Sequence, residues 1–215
     1  MKEKFLECLI GQSDFISGET IAKELGVSRN CIWKYVKELQ KQGYNIECVH
    51  GKGYRFINSG NNISEFIIKK NIKKSIGIYC YNIVNSTNTL AKDFIREGKF
   101  SSESVIIADK QTEGRGRLGK KFYSPSSSGL YMSVILYPEF KATESYLLTA
   151  AAAVAVCRAI EKYDDTLSPK IKWVNDIFCG GKKVCGILTE ASVDFENGGF
   201  EYAIVGIGIN LFTRE

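Results

Sequence analysis

The chain has 215 residues, 44% of them hydrophobic and 25% charged, with a net charge of +5: ordinary globular values that fit one or two domains and permit an anionic partner. Its single histidine, His50, excludes a multi-histidine metal site and a Ser-His-Asp triad, so no metal ligands are assigned. No apolar run reaches the length of a membrane span and residues 1–12 mix acids with bases, so neither a membrane segment nor a secretory leader is expected. The seven scattered cysteines, with no Cys-x-x-Cys pair, fit reduced thiols and a cytoplasmic protein.

In chain order, Lys4–Ile10 has the apolar spacing of a short helix. Ser17 is placed to cap a second helix that stops at Gly26, and Ser28 a third, Arg29–Gln42, that ends at Gly43. Helix, short glycine turn, helix is the layout of a helix-turn-helix. Ile32, Val36 and Leu39 form the inward stripe of the third helix, which leaves Ser28, Arg29, Asn30, Trp33, Lys34 and Lys37 facing outward, within reach of base edges and phosphates. Two strands, Asn45–Val49 and Tyr54–Ile57, follow with a glycine-rich turn carrying Lys52, which completes a winged helix. Such a domain also serves in protein interaction; the basic residues on the third helix and wing favour DNA, with Lys52 on phosphate and Arg29 on a base edge.

Asn58–Asn62 is the predicted boundary, giving residues 1–60 to the winged helix, 61–75 to a linker with a basic helix (Ile63–Lys74), and 76–215 to a second domain. There, a strand at Ile76–Ile83 leads to Ser86, Thr87 and Asn88 and a helix from Thr89 to Glu97. Polar residues at a helix start either cap it or bind a polar ligand head. A strand at Val105–Asp109 enters Lys110–Phe122, which holds Gly114, Gly116 and Gly119 and five cations against one acid, Glu113. We expect a mobile loop closing over an anion, with a solvated basic turn as the alternative. Its glycines nearly spell a dinucleotide fingerprint and a P-loop, but Pro125 and the serines beyond it leave no helix start, and Lys121 stands where a P-loop has Ser or Thr.

Further strands are predicted at Leu130–Tyr137, Ile171–Ile177, Lys182–Leu188 and Tyr202–Leu211, with an alanine-rich helix over Tyr146–Glu161. Gly180-Gly181 reads as a tight hairpin that brings Cys179 and Cys185 near one another as packed thiols or a facing pair. A lysine in the strand reading Lys183-Val-Cys-Gly-Ile-Leu calls for an anion to receive it. Gly206 and Gly208 mark a strand that a ligand or another backbone approaches closely. The pattern gives an α+β domain with a mixed, mostly antiparallel sheet behind an N-terminal winged helix-turn-helix.

Taken together, Ser86-Thr87-Asn88, Gln111-x-x-Gly-Arg-Gly-Arg117-x-Gly119, Lys172-Trp-x-Asn-Asp176, Lys183-x-x-Gly-Ile-Leu-x-Glu190 and Gly206-x-Gly-x-Asn210 resemble the biotin–protein ligase family. With the winged helix in front, the chain looks like the bifunctional bacterial form, both ligase and biotin operon repressor. The resemblance implies a class II synthetase-like catalytic domain, biotin and MgATP as reactants, biotinyl-5′-adenylate as intermediate, and a lysine on a biotin carboxyl carrier domain, as in acetyl-CoA carboxylase, as acceptor. It implies operator DNA as a second partner, bound by a homodimer. Ser86, Thr87, Asn88, Gln111 and Gly186 would then bind biotin. Arg115, Gly116 and Arg117 would close over biotin and the phosphates, Lys183 would hold the biotin carboxylate, and Asp176 would orient nucleotide or metal. Arg117, Phe122, Asn175, Asp176 and Asn210 would bind the nucleotide, with Lys183, Asp176, Arg115 and Arg117 carrying the catalysis. The same fold serves lipoate ligases and octanoyl transferases, and a ligand-sensing regulator without catalysis is the reading from another class. The chain departs from the pattern at Phe122, where tryptophan is usual, at Val174, where proline is usual, and in ending at Glu215, where the family's small C-terminal β domain would begin.

Overall fold

The computed structural model describes residues 1–10, 12–41, 44–57, 65–194 and 196–212, folded as two compact units, Met1–Ile67 and Ile68–Glu215. In the first, α1 (Lys2–Ile10), α2 (Gly18–Leu25) and α3 (Arg29–Lys41) precede a hairpin of β1 (Ile46–Val49) and β2 (Gly53–Phe56). Phe5, Leu6, Leu9, Ile21, Ile32, Val36 and Leu39 meet Ile46 in one core, the outcome expected when each helix has a single apolar stripe. Ser17 Oγ accepts the Thr20 amide at 3.0 Å, and Gly26, at φ 65°, ends α2 in the left-handed region. Ser28 Oγ accepts the Cys31 amide at 3.3 Å. The wing is stitched down where Ile16 and Tyr54 exchange backbone hydrogen bonds, each 2.9 Å. Gly53, at φ 110°, allows this, because a Cβ there would lie 2.0 Å from the Ile16 oxygen.

The predicted stop at Gly43 and the boundary at 58–62 lie outside the described residues. The basic helix is present as α4 (Glu65–Asn71), shorter than its predicted span.

The second unit is a seven-stranded sheet in the order β3-β4-β5-β9-β8-β7-β6. Its strands are β3 (Gly77–Val84), β4 (Ser104–Gln111), β5 (Gly129–Leu136), β6 (Lys170–Lys172), β7 (Asp176–Cys179), β8 (Lys182–Val193) and β9 (Phe200–Asn210). Only β3 and β4 pair in parallel; α5 (Thr87–Arg96) supplies the crossover that parallel neighbours need. The long helix α6 (Tyr146–Tyr163) packs Ala153, Val156 and Cys157 on Ile177, Cys185, Ile187, Val205 and Ile207. On the other side Ala91 of α5 joins Phe100, Ile106, Ile135 and Ile204. Val205 and Ile207 therefore face α6 while Ile204, Gly206 and Gly208 face α5, as the two-residue period of a strand requires.

Three expectations change. The predicted strand Ile171–Ile177 is two strands, β6 and β7, joined by a turn at Trp173–Asn175. The peptide between Trp173 and Val174 is cis. Helix α5 begins two residues early, at Thr87. A stretch long and apolar enough to cross a bilayer does exist, Ala142–Tyr163, with mean hydropathy 1.2 and 22% of its apolar window buried; within this unit one stripe of it, Ala153, Val156 and Cys157, lies on the sheet.

Candidate functional site

The site is a gap in the α5 face of the sheet. Gly186 on β8 pairs directly with Gly208 on β9, and Gly206 pairs with Ser133 on β5, so neighbouring positions on three central strands carry little or no side chain. The Phe122 ring lies in the space, and a Cβ at Gly208 would come within 2.5 Å of it and one at Gly186 within 3.1 Å. A Cβ at Gly206 would lie 2.3 Å from Asn88 Oδ1. What approaches these glycines is thus a side chain of the same chain, where the sequence suggested ligand or backbone.

One wall of the cavity is the start of α5 with Gln111. The Thr87 amide donates to Gln111 Oε1 at 2.9 Å, and the Ser86 amide to Asn85 Oδ1 at 2.6 Å. The Ser86 and Thr87 amides are therefore engaged within the protein, and Ser86 caps by position without a side-chain bond. Gln111 Nε2 donates to Ser124 Oγ at 3.0 Å. Behind the wall, Ser133 Oγ, fully buried, lies 2.7 Å from Thr87 Oγ1 and 2.6 Å from Asn88 Oδ1.

The roof is the cationic segment. It is closed by the Gly116 amide donating to the Lys120 oxygen at 2.7 Å and the Phe122 amide to the Gly114 oxygen at 2.8 Å, around a 3-10 turn at Arg117–Gly119. Glu113 and Thr112 amides tie it to the Asn85 and Val84 oxygens at 2.8 and 2.9 Å. The expected mobile loop is a tethered hairpin, with Leu118 projecting 94% exposed. Gly114 is obligatory: a Cβ would sit 2.2 Å from the Phe122 oxygen.

The cations of the site are parked on protein acceptors. Arg117 donates to Asn175 Oδ1 at 2.8 Å, Asn175 Nδ2 donates to Asp176 Oδ1 at 2.9 Å, and Lys183 Nζ meets the same oxygen at 2.8 Å. Arg115 lies 3.9 Å from Glu190. Lys183 is 42% exposed, so no buried lysine has to be accounted for; its anion is Asp176. Arg117, Arg115, Gly116, Lys183, Asn175 and Phe122 line one cavity with Ser86, Thr87, Asn88, Gln111 and Gly186. Asp176 and Asn210 are not on its lining; Asp176 reaches it through Lys183 and Asn175. The Asn210 Oδ1 is buried with no hydrogen-bond partner among the described residues.

Two family profiles match: the Biotin/lipoate A/B protein ligase family over residues 80–210, and an HTH domain over residues 2–55. The first covers more than half the chain. The chain belongs to the biotin/lipoate A/B protein ligase family. This family member is 38% identical over 202 residues to the bifunctional ligase/repressor BirA of Bacillus spizizenii, covering 93% of the chain and 61% of that protein. It is 29% identical over 215 residues to the Escherichia coli protein of that name, covering 97% and 63%. The chain thus spans about three-fifths of the length of these curated relatives. Among solved structures, biotin protein ligase from Aquifex aeolicus in complex with biotin and ATP aligns at TM-score 0.53 and 36% identity, over 65% of this chain and 54% of that one. The Leishmania major enzyme with biotin aligns at 0.55 and 27%, over 66% and 59%.

Lys92 and Ser133 were not singled out from the sequence of this ligase-family chain, and Glu190 entered only as the last residue of a motif, without a role. Glu190 Oε2 accepts Asn88 Nδ2 at 2.9 Å and Oε1 accepts Lys92 Nζ at 2.7 Å. Burial opposes its charge, but Lys92, Asn88 and the nearby Arg115 outweigh that and hold the carboxyl below the usual range. Ser133 had a signal: it shares the inward phase of β5 with Tyr131 and Ile135, and a hydroxyl there needs a polar partner.

In the first unit Ser28, Arg29, Asn30, Trp33, Lys34, Lys37 and Lys52 are all exposed. A groove between α3 and the wing is lined by Arg29, Trp33, Lys37, His50 and Lys52, and Lys37 Nζ lies 5.9 Å from the Trp33 ring centre. The cysteines are free thiols; Cys179 pairs across its hairpin with Lys182, and Cys185 with Ile177.

Proposed function

We propose that the chain is an ATP-dependent biotin–protein ligase that makes biotinyl-5′-AMP and passes biotin to a lysine of a biotin carboxyl carrier domain such as that of acetyl-CoA carboxylase. The observation that carries this is the meeting of Lys183 and the Arg115–Arg117 segment on one cavity whose opposite wall is Ser86–Asn88 with Gln111. A carboxylate attacking the α-phosphorus brings two anions together as pyrophosphate leaves, and clustered cations lower that barrier. In this reading the incoming ligand exchanges the protein's own acceptors for its carboxylate and phosphates: Lys183 leaves Asp176, and Arg117 leaves Asn175. The acceptor lysine's amine then attacks the acyl carbon, AMP departs, and the amine loses a proton. The roof keeps water from the mixed anhydride in between.

The hollow is small, about 60 Å³, so ligand entry requires Phe122 to swing off Gly186 and Gly208. Arg117, Phe122, Asn175, Asp176 and Asn210 would hold the nucleotide, with the unpaired Asn210 oxygen as an acceptor. No cluster of three or more acids, cysteines or histidines that could hold a metal occurs among the described residues. In this reading magnesium would be held chiefly by nucleotide phosphates and water, with Asp176 as the carboxylate beside them.

The winged helix supports a second role, repression of biotin genes in the cytoplasm by a homodimer on operator DNA, since paired half-sites need two reading heads. Biotin-dependent exchange of pyrophosphate into ATP, run beside lipoate and octanoate, tests the ligase reading. Exchange with biotin alone is expected, and exchange only with another acid overturns it. Gel shifts of operator DNA with and without biotin and ATP test the repressor.

A further inference from the structure

We infer that Lys92 is a positioning residue of the site: by occupying Glu190 it keeps the Arg115 guanidinium off that carboxylate and so available for the nucleotide's phosphates. This rests on the ligase reading and adds to it a residue outside the motifs.

Lys92 stands one turn beyond Asn88 on α5, so both side chains reach the same carboxylate on β8. Asn88 Nδ2 donates to Glu190 Oε2 at 2.9 Å, and Lys92 Nζ donates to Oε1 at 2.7 Å. Neither Lys92 nor Glu190 lines the cavity. A second cation faces the pair from the roof, with Arg115 Nη1 3.9 Å from that same Oε1. Burial penalises the Glu190 charge, and the bonds from Lys92 and Asn88 with the charges of Lys92 and Arg115 overcome the penalty. A half-buried carboxylate of this kind must keep a cation, and two stand ready for it.

The guanidinium is the better-shaped partner, because its fork spans both oxygens of a carboxylate. Here that grip is blocked: Asn88 fills Oε2 and Lys92 fills Oε1. Arg115 meanwhile lines the cavity with a side chain that is 53% exposed. Its backbone is held by the bridge to Lys121 and by the Gly116 amide on the Lys120 oxygen at 2.7 Å, so only side-chain rotation is needed to reach Glu190. Without Lys92, Oε1 opens, the carboxylate loses its nearer counter-charge, and Arg115 moves in. An arginine held that way resists transfer to a phosphate, since a charge-assisted bond is about twice as strong as a neutral one. Arg117 stays available by another route, resting on the neutral amide oxygen of Asn175 at 2.8 Å.

The test uses the full chain as Lys92→Met, Glu190→Gln and Lys92→Met/Glu190→Gln, with Lys92→Gln read in place of Lys92→Met should the latter not fold. KM values for ATP and for biotin come from biotin-dependent pyrophosphate exchange. In Lys92→Met the KM for ATP is expected to rise about tenfold, with that for biotin unchanged. Glu190→Gln keeps an acceptor for Asn88 but no charge for Arg115, so the double variant should regain the ATP value of the unaltered chain. A salt bridge that only stabilised the fold would move both KM values or neither. Equal shifts of both, an unchanged KM for ATP in Lys92→Met, or no recovery in the double variant overturns the inference. The Arg115 Nε–H signal of the ligand-free protein, assigned by its absence in Arg115→Lys, is followed by NMR. Its proton should exchange with water fast in the unaltered chain and in the double variant, and slowly in Lys92→Met. If the unaltered chain shows no biotin-dependent pyrophosphate exchange, the ligase reading fails by itself; a slowed Arg115 proton in Lys92→Met then upholds the claim that Lys92 holds Arg115 off Glu190, and a fast one overturns it.

Discussion

Lys183 and Asp176 share an ion pair of 2.8 Å on adjacent antiparallel strands, and Asn175 holds the same carboxylate oxygen at 2.9 Å while receiving Arg117 from the roof. Lys183 and Arg117 are thus linked through two consecutive residues, Asn175 and Asp176. Because Lys183 is partly exposed, Lys183→Ala should leave stability within about 0.5 kcal/mol. Biotin-dependent pyrophosphate exchange should fall by roughly 10²–10³, the cost of losing one preorganised charge partner in a transition state. Wild-type exchange rates in that variant would remove the lysine from the mechanism.

Arg117→Gly and Arg115→Gly act on the roof. Each should leave adenylate formation measurable but let the adenylate escape, seen as loss of bound biotinyl-AMP on gel filtration and biotinylation of unrelated lysines. Arg117→Gly should have the larger effect, since Arg117 makes the 2.8 Å bond to Asn175 whereas Arg115 stands 3.9 Å from Glu190.

The floor glycines separate two costs. Gly206→Ala drives a methyl against Asn88 Oδ1 and its amide group, which are pinned by Glu190 and Leu188, so unfolding free energy should drop by about 1–3 kcal/mol and biotin affinity should fall with it. Gly208→Ala meets the Phe122 ring, which can rotate away. Thermal melts should show a smaller loss for Gly208→Ala, alongside altered ligand affinity; equal melting losses would contradict this account.

Cys185 gives a pH dependence with a definite sign. Burial, with Cys157 and Asp176 adding to it and Lys183 opposing, lifts its thiol from 9.0 to about 12. In the unfolded chain it ionises near its ordinary value, and in the folded chain it stays protonated. Its contribution is complete below pH 9 and is lost as pH rises from there toward 12. Urea denaturation at pH 8 and pH 10 should show a loss of about 1 kcal/mol that is absent in Cys185→Ala.

The winged helix predicts two distinct responses. Lys52→Ala should weaken all DNA alike and flatten the salt dependence by about one counterion. Arg29→Ala should relax discrimination at one base position by about 1–3 kcal/mol. An unchanged site preference in Arg29→Ala would mean that α3 is not the reader.

Local chemistry was legible from the residues: Ser17 and Gly26 bound α2, and the glycine pair at 180–181 turns its hairpin, because each acts on its immediate neighbours. The turn at Trp173–Asn175 was not, since it contains neither glycine nor proline and its flanks alternate like a single strand. The true start of α5 was hidden because the group taking the Thr87 amide, Gln111, is 24 residues away. The partners of Glu190 lie about a hundred residues upstream, beyond any periodicity. Motif spacing gathered most of the cavity's lining, and what it left out are the groups that orient that lining from behind.

The cavity floor is made by β5, β9 and β8, each hydrogen-bonded on both sides, while its roof hangs from a handful of backbone bonds. Deuterium uptake should therefore divide the pocket in two. Amides beneath the ligand would exchange only when the whole second unit opens, and those above it through local opening. Ligand binding would register as slowed exchange confined to the roof, giving a signal of occupancy that requires neither turnover nor a label.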